Sequence, residues 1–194
     1  MGTPIAVALT NIFLGMFEFD IYDNFSVNNI KKPFMLYRFI DDLIGIFYDC
    51  NSRDHFIYLY NNSVNTIKIT HNNNNKEQIF LDLCLYKGMS YNIYNKLDIK
   101  LYQKPLNNYL YLPPHSFHTP HMFKGFILSN FNRIRFKCTN DNDFFLIANN
   151  FITHLYNKGY QYNSLLNIFK QTSSRDTLLL HYSQTYLKKI QLLQ

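Results

Sequence analysis

Apolar residues near the start of the chain recur at the spacing of one helix face. Thr3 followed by Pro4 is a favourable helix start, because a hydroxyl cap precedes proline at the first helical position. Pro4–Phe17 is shorter than the ~20 residues of a membrane span, and no basic residue precedes it as in a signal peptide. The pattern therefore predicts a core helix, with its apolar positions at Ile5, Ala8, Leu9, Ile12 and Met16.

Short apolar runs then alternate with polar segments. The polar stretch Asp20–Lys32 predicts a connection, and Pro33–Phe39 and Leu43–Tyr48 predict two strands joined at an acidic bend. Ser52 or Asp54 can cap a second helix that extends to about Asn65. Three later segments are predicted strands: Ile67–Thr70 and Gln78–Tyr86, paired around an Asn-rich loop, and the half-buried Leu97–Gln103. In this last strand the apolar Leu97, Ile99 and Leu101 alternate with the polar Asp98, Lys100 and Gln103.

The last part of the chain has a helical pattern. Prolines interrupt regular structure between Lys104 and Pro120, and helices are expected after about Arg133, most clearly at Phe144–Tyr156 and Tyr162–Phe169. The predicted fold class is α+β, in which an antiparallel sheet with packed helices is followed by a helical region.

Composition and charge narrow the functional classes only slightly. The 194 residues include 18 Phe, 16 Tyr and no Trp, and many residues have A/T-rich codons, so Asn and Tyr frequencies are poor functional evidence. A net charge of +6 fits either a polyanionic partner or an ordinary basic surface. The cysteines Cys50, Cys84 and Cys138 are far apart, which predicts free thiols and an intracellular location, nuclear or cytoplasmic.

Two adjacent carboxylates, Asp41 and Asp42, lie between the first two predicted strands. Like charges at the tip of a tight apolar hairpin repel each other, unless a cation lies between them. Magnesium is commonly held by one or two carboxylates together with substrate phosphates, so the pair suggests phosphoryl or nucleotidyl transfer. The alternative is a solvated turn, since Asp is a common turn residue.

Basic and histidine residues form two further candidate groups. Arg133, Arg135 and Lys137 alternate with apolar residues, which predicts an extended stretch with three cations on one side, either a phosphate-contacting stripe or a solvated face. His115, His118 and His121 recur at every third position among prolines and lack a fourth ligand at metal spacing. We therefore do not predict a zinc site there.

Several motifs in order resemble the C-terminal half of a reverse transcriptase palm, within the Penelope-like retroelement group. The resemblance covers about Gly2–Phe169. The motifs are the glycine-initiated helix Gly2–Ala8 with Asn11–Gly15 and Glu18, the aromatic-x-Asp-Asp turn Tyr37–Asp42, the strands Ile67–Thr70 and Ile79–Asp82, the segments Leu101–Pro105 and Asn107–Leu110, the stretches Ser116–His121 and Arg133–Arg135, and Lys158–Tyr160.

The resemblance implies a division and a set of roles. Residues 1–112 would be a partial polymerase palm, and residues 113–194 a thumb-like connection and helices. Asp41 and Asp42 would be the catalytic, metal-binding carboxylates. The nucleotide and template would lie near Gly2, Thr3, Pro4 and Phe39, and Phe39 would pack beneath the turn. The primer or nucleic-acid backbone would lie near Lys104, Arg133, Arg135 and Lys137. Asp82 is expected to be a structural hydrogen-bonding carboxylate.

The family also needs a third carboxylate on a strand ahead of the glycine helix, and in this sequence only Met1 precedes Gly2. Magnesium or manganese is therefore expected only together with an N-terminal half, which a separate chain or exon would supply with the fingers and the first catalytic Asp. The expected partners are an RNA template and a DNA primer, without a membrane. Three versions remain open: part of a working polymerase, a nucleic-acid-binding module without chemistry, and a structural or decayed remnant.

Overall fold

A computed structural model describes residues 4–27, 31–63, 67–72, 74, 76–107, 109–181 and 183. Its helices are α1 (Pro4–Val27), α2 (Cys50–Ser63), α3 (Met89–Tyr94), α4 (Pro120–Lys137), α5 (Asp141–Asn157), α6 (Tyr162–Phe169) and α7 (175–181). Its strands are β1 (Met35–Phe39), β2 (Asp42–Ile46), β3 (Glu77–Phe80), β4 (Leu83–Tyr86) and β5 (Asp98–Leu101). Every strand pair is antiparallel, so the predicted α+β class is confirmed.

The chain forms two compact units, Met1–Asn74 and Asn75–Gln194. The first contains α1, α2 and the β1–β2 hairpin, and the second contains the three-stranded sheet β3-β4-β5 and helices α3 to α7. The division of the sequence at residue 112 concerns polymerase subdomains and stays a prediction.

The first unit is built around aromatic residues that α1 and α2 bury between them. Ile21 and Phe25 of α1 pack against Phe56 and Tyr60 of α2. Asp49 caps α2, since its Oδ1 accepts a hydrogen bond from the Ser52 amide at 2.7 Å. The helix therefore begins slightly before the predicted caps Ser52 and Asp54, and the predicted end at Asn65 lies outside the described residues.

Helix α1 differs from its prediction in length and in burial. It extends through the predicted polar connection to Val27. Its apolar face Ile5, Leu9, Ile12, Met16 and Phe19 is 60–69% exposed, so the prediction of a core helix is wrong for this face. Within the described residues, α1 is the one helix long and apolar enough to cross a membrane: Ile5–Asp23 has mean hydropathy 1.5 and is 11% buried. The predicted end of the apolar segment at Phe17, which made it shorter than a membrane span, is therefore wrong.

The second unit has the larger core, where α4, α5 and α6 pack around β5. Phe131, Cys138, Leu155 and Leu165 are completely buried. The bounds of α6 match the predicted Tyr162–Phe169, and α5 begins three residues before the predicted Phe144. The proline-rich stretch before α4 contains no regular element among its described residues, as predicted.

Three predictions of extended structure are wrong. Ile67–Thr70 is not a strand. Its predicted partner, Gln78–Tyr86, is not one strand but lies in a hairpin, in which β3 and β4 pair Phe80 with Leu83. Residues 133–137 form the last turn of α4 and not an extended stretch. Helical geometry separates Arg135 from Arg133 and Lys137, because residues four apart share a face whereas residues two apart do not.

The predicted alternation of apolar and polar residues along Leu97–Gln103, which contains β5, is reversed at its start. Asp98 is 2% exposed, whereas Leu97, which was expected to face the core, is 39% exposed. The Asp98 carboxylate accepts hydrogen bonds from Ser90 N at 3.0 Å, Ser90 Oγ at 2.7 Å and Thr139 Oγ1 at 2.9 Å. One buried carboxylate therefore joins the start of α3, β5 and the segment that follows α4.

Candidate functional site

The acidic pair lies at the tip of the β1–β2 hairpin, as the sequence predicts. Phe39 pairs with Asp42, which leaves Ile40 and Asp41 as a two-residue turn. Ile40 has a φ of +57°, where a two-residue hairpin turn normally has Gly or Asn. A β-branched residue is strained at positive φ by roughly 1–2 kcal/mol. Strain of this kind is frequent at functional sites, where the surrounding structure holds it in place.

Arg38 holds this turn against α1. Its Nε donates to Glu18 Oε1 at 2.6 Å, and its Nη1 donates to Asn11 Oδ1 at 2.8 Å and to the Ile40 carbonyl at 3.2 Å. The Arg38 and Glu18 side chains are only 12% and 17% exposed, so the ion pair is largely shielded from water. The sequence alone assigns no role of their own to Arg38 and Asn11. The signal that indicates the role of Arg38 is its position three residues before an Asp pair.

A second hairpin provides an internal comparison. Leu81 has a φ of +56° and precedes Asp82, just as Ile40 precedes Asp41. Asp82 has two cationic partners, Arg133 Nη2 at 2.7 Å and the Lys137 ammonium. Within the described part of the chain, neither Asp41 nor Asp42 belongs to an ion pair, and both are exposed. The first residue of each turn has nearly the same positive φ. In the described part of the chain, Asp82 has cationic partners, whereas Asp41 and Asp42 have none.

The acidic pair fits part of a magnesium site. Two exposed, adjacent carboxylates are enough for an ion that also takes phosphate oxygens as ligands. Among the described residues, no group of three or more His, Cys, Asp or Glu side chains could hold a metal ion. The described residues therefore supply at most the two carboxylates, and further ligands would have to come from a substrate or from residues outside the described ranges.

The residues expected near a nucleotide have mixed outcomes. Phe39 is 55% exposed, so the expectation that it packs beneath the turn is wrong. Pro4 is the first residue of α1, whereas Gly2 and Thr3 lie outside the described residues. A Cβ added at Gly15 would have no atom within 4 Å, so packing inside the first unit does not require glycine there.

The predicted basic stripe is divided between two places. Arg133 and Lys137, one turn apart on α4, both contact Asp82. Partial burial opposes ionisation of Asp82, but hydrogen bonds from Lys137 and Arg133 outweigh it and hold the pKa of this carboxyl below its usual value. Arg135 instead contacts Asp141 at 2.7 Å and lies over the Phe144 ring. Asp82 is thus a hydrogen-bonded, ion-paired carboxylate, as expected.

The fold brings together Lys104 and Arg133, which are far apart in the sequence. Both line one cavity of about 350 Å³ in the second unit, beside the end of β5. Its wall also includes the apolar residues Leu101, Ile134 and Phe151. Sequence reasoning gave no signal for this cavity, because its residues come from β5, the proline-rich stretch, α4 and α5.

The three recurring histidines are exposed, and two of them make local contacts. His118 Nδ1 lies 3.0 Å from Ser116 Oγ, and His121 Nε2 lies 3.2 Å from Thr119 Oγ1. These contacts arrange the segment immediately before α4.

No protein-family model, curated protein or solved structure matches this chain significantly.

The strain at Ile40 gives a testable prediction. We expect Ile40→Asn to raise the free energy of unfolding of the first unit by about 0.5 kcal/mol, because Asn tolerates positive φ better than a β-branched residue. Urea denaturation followed by circular dichroism measures the change. Ile44→Asn is the matched control: Ile44 lies in β2 and is also half-buried, and the same substitution should destabilise the unit by about 1 kcal/mol. Equal losses in both variants would contradict strain at Ile40.

Proposed function

We propose that this chain is the palm and the beginning of the thumb of an RNA-directed DNA polymerase, a reverse transcriptase of the Penelope-like retroelement group. The observation that carries the proposal is the exposed acidic pair at the tip of a strained hairpin, without an ion-pair partner in the described part of the chain. The partners are an RNA template and a DNA primer.

The comparison between the two hairpins supports a cation site at the first one. A solvated turn explains an acidic residue at one of these positions, but the first turn carries two adjacent carboxylates that lack the cationic partners of Asp82 at the second turn. The nearest basic residue in sequence, Arg38, is engaged by Glu18 and Asn11. The negative charge of Asp41 and Asp42 is thus available to a bound cation.

In this proposal, Asp41 is the principal ligand and Asp42 lies beside it as a weaker or indirect ligand. Bound magnesium would supply positive charge for the phosphate oxygens and the reacting hydroxyl. The residues of this chain fix the position of the carboxylates: the Arg38–Glu18 ion pair anchors β1 to α1, and the Arg38 contact with the Ile40 carbonyl holds the turn. The third carboxylate would come from a segment that is not part of these 194 residues.

A second candidate function is nucleic-acid binding without catalysis. It is favoured by the cavity in the second unit, where Lys104 and Arg133 lie together without an acidic residue in the cavity lining. The two candidates differ in one property. Binding that weakens with salt and is unchanged by Asp41→Asn would favour the binding module, because phosphate contacts do not need the acidic turn.

The experiment that tests the proposal is to sequence the native transcript upstream of the codon for Met1. We expect an in-frame segment that encodes a strand bearing an Asp. Such a segment would give Asp41 and Asp42 the third carboxylate that the polymerase needs. A transcript that begins just before Met1, without a second transcript encoding such a segment, would contradict the proposal and leave binding as the leading function.

A further inference from the structure

A stripe of large apolar side chains runs along the outer side of α1. Its members follow one another at alternate steps of four and three residues, and each is at least 60% exposed: Ile5, Leu9, Ile12, Met16 and Phe19. Alternate steps of three and four residues are the pattern of the contact seam between two paired helices, because they keep every member on one narrow side of the helix. We call this stripe the α1 seam.

The opposite side of α1 is already covered by the first unit. Leu14, Ile21 and Phe25 are buried, and Ile21 and Phe25 pack against α2. Leu14 follows Ile12 by two residues, which is a rotation of about 200° around the helix axis. Helix α1 can therefore keep its contacts with α2 while a second element covers the α1 seam.

The α1 seam has the area that a specific interface needs. At about 200 Å² for a fully exposed large side chain, the seam and the flanking Phe13, which is 46% exposed, offer roughly 700–800 Å² per copy. Stable protein–protein interfaces bury about 800 Å² per partner. An open groove of about 530 Å³ lies beside the middle of the seam, between Leu9 and Met16, and can take up apolar side chains of a partner.

Charge is distributed unevenly along α1. Asp20 and Asp23 are exposed near its C-terminal end, its first turn has no acidic residue, and its sequence contains no Lys or Arg. A helix carries a partial positive charge at its N-terminus and a partial negative charge at its C-terminus. An antiparallel pair places the acidic end of each helix beside the N-terminus of the other, whereas a parallel pair would bring the carboxylates of both copies together. The charges of α1 therefore complement a second copy in antiparallel orientation.

A bilayer fits α1 less well than a second copy does. Insertion of the whole stretch Ile5–Asp23 would break the packing of Ile21 against α2 and the ion pair between Glu18 and Arg38. A helix that lies on a membrane surface is usually rich in Lys and Arg on its polar side, whereas α1 has neither. A protein surface is therefore the better cover for the α1 seam.

We propose that the α1 seam binds a second copy of this chain, as an antiparallel helix pair around a twofold axis near the middle of the seam. Such an interface is isologous, so each copy contributes the same apolar side chains and the same groove. The proposal goes beyond the proposed polymerase function and does not use the acidic turn. Because the seam covers only about two heptads, we expect a dissociation constant of the order of 10 μM.

Sedimentation equilibrium of the full chain, from about 1 to 100 μM, tests the proposal by the expected reversible change from monomer to dimer. Ile12→Asp should weaken the dimer at least about 100-fold, because it buries a charge from each copy in an apolar interface. Ile93→Asp is the matched control, since Ile93 of α3 is 67% exposed, close to the 64% of Ile12, and lies outside the seam. This control should dimerise like the native chain. Circular dichroism should show native helix content in both variants.

The double variant Asp20→Asn with Asp23→Asn tests the orientation. In an antiparallel pair it removes the attraction between each acidic end and the partner's N-terminus. The dimer should therefore weaken by about 3-fold or more, and less so at high salt. In a parallel pair the same change removes repulsion, so a tighter dimer overturns the antiparallel arrangement.

Three other results overturn the proposal. The first is a native chain that stays monomeric at about 100 μM. The second is a dimer that Ile12→Asp and Ile93→Asp weaken equally or not at all. The third is a monomer that binds vesicles of phosphatidylcholine and phosphatidylglycerol and loses this binding in Ile12→Asp, which would assign the α1 seam to a bilayer.

Discussion

If the proposed function holds, Asp41→Asn is expected to abolish magnesium-dependent primer extension by the proposed polymerase, that is, by this chain together with a segment that would supply the third carboxylate. Removing a carboxylate ligand from a metal site costs several kcal/mol of transition-state stabilisation, which corresponds to a rate loss of about 10³-fold or more. The amide has nearly the same shape but no charge. The hairpin should remain folded, because Asp41 is an exposed turn residue without an ion pair in the described part of the chain.

The measurement is incorporation of labelled nucleotides on a primed RNA template, with and without magnesium. Asp54→Asn is the matched control, because Asp54 is an exposed carboxylate of the same unit whose ion-pair partner is its own neighbour Arg53; extension should be unchanged. Asp42→Asn should have a smaller effect than Asp41→Asn. Extension that survives Asp41→Asn would remove this residue from catalysis. Robust extension by the 194 residues alone, abolished by Asp41→Asn, would show that no further carboxylate is needed.

Asp98→Ala is expected to destabilise the second unit by about 3 kcal/mol. The substitution leaves the Ser90 amide and the Ser90 hydroxyl without their buried acceptor, whereas the Thr139 hydroxyl keeps the Ile99 carbonyl at 3.2 Å. Each unsatisfied buried group costs about 1–3 kcal/mol before relaxation. Urea denaturation followed by circular dichroism measures the loss. Asp176→Ala is a control on an exposed carboxylate of the same unit and should change stability by less than about 0.5 kcal/mol. A loss as small as that in the control would contradict a structural role for Asp98.

The same carboxylate predicts a dependence on pH. Burial opposes ionisation of Asp98, but hydrogen bonds from Ser90 and Thr139 outweigh it and lower the pKa of this group in the folded state. Its contribution is therefore fully present above the unfolded pKa of about 3.9 and is lost as the pH falls through the folded pKa. The second unit of the native protein should lose stability in this acid range, and Asp98→Ala should lose less there. Parallel pH profiles of the two proteins would contradict this.

Gly88 is the position that allows this arrangement. A Cβ at residue 88 would lie 2.3 Å from Asp98 Oδ2 and 2.7 Å from the Tyr86 ring. Glycine is thus required by the close approach of the carboxylate to the start of α3. The sequence indicated a turn at Gly88, but only the packed structure shows what the missing side chain makes room for.

Local chemistry determined the candidate catalytic turn and several elements. The hairpin with Asp41 and Asp42 at its tip was predictable because two apolar runs separated by acidic residues can pair through contacts close in sequence. The bounds of α6 were predictable for the same reason, since its apolar residues recur at helical spacing. The last turn of α4 was not predictable, because polar and apolar residues alternate in Arg133–Lys137 as they do in a strand. The structure shows a helix there, in which Ile127, Phe131 and Ile134 are buried at helical spacing.

Other features were decided by contacts between distant segments. The exposed face of α1 has the apolar composition of a core helix, so only the absence of packing partners among the described residues distinguishes the two. The burial of Asp98 depends on Ser90 and Thr139, and the pairing of Asp82 depends on α4. The cavity that joins Lys104 to Arg133 exists only when β5, α4 and α5 pack together. The sequence by itself determined the hairpin and its carboxylates, because hydrophobic pattern and turn chemistry act over a few residues. Tertiary structure decided which charges are paired, because packing brings together residues that local pattern does not connect.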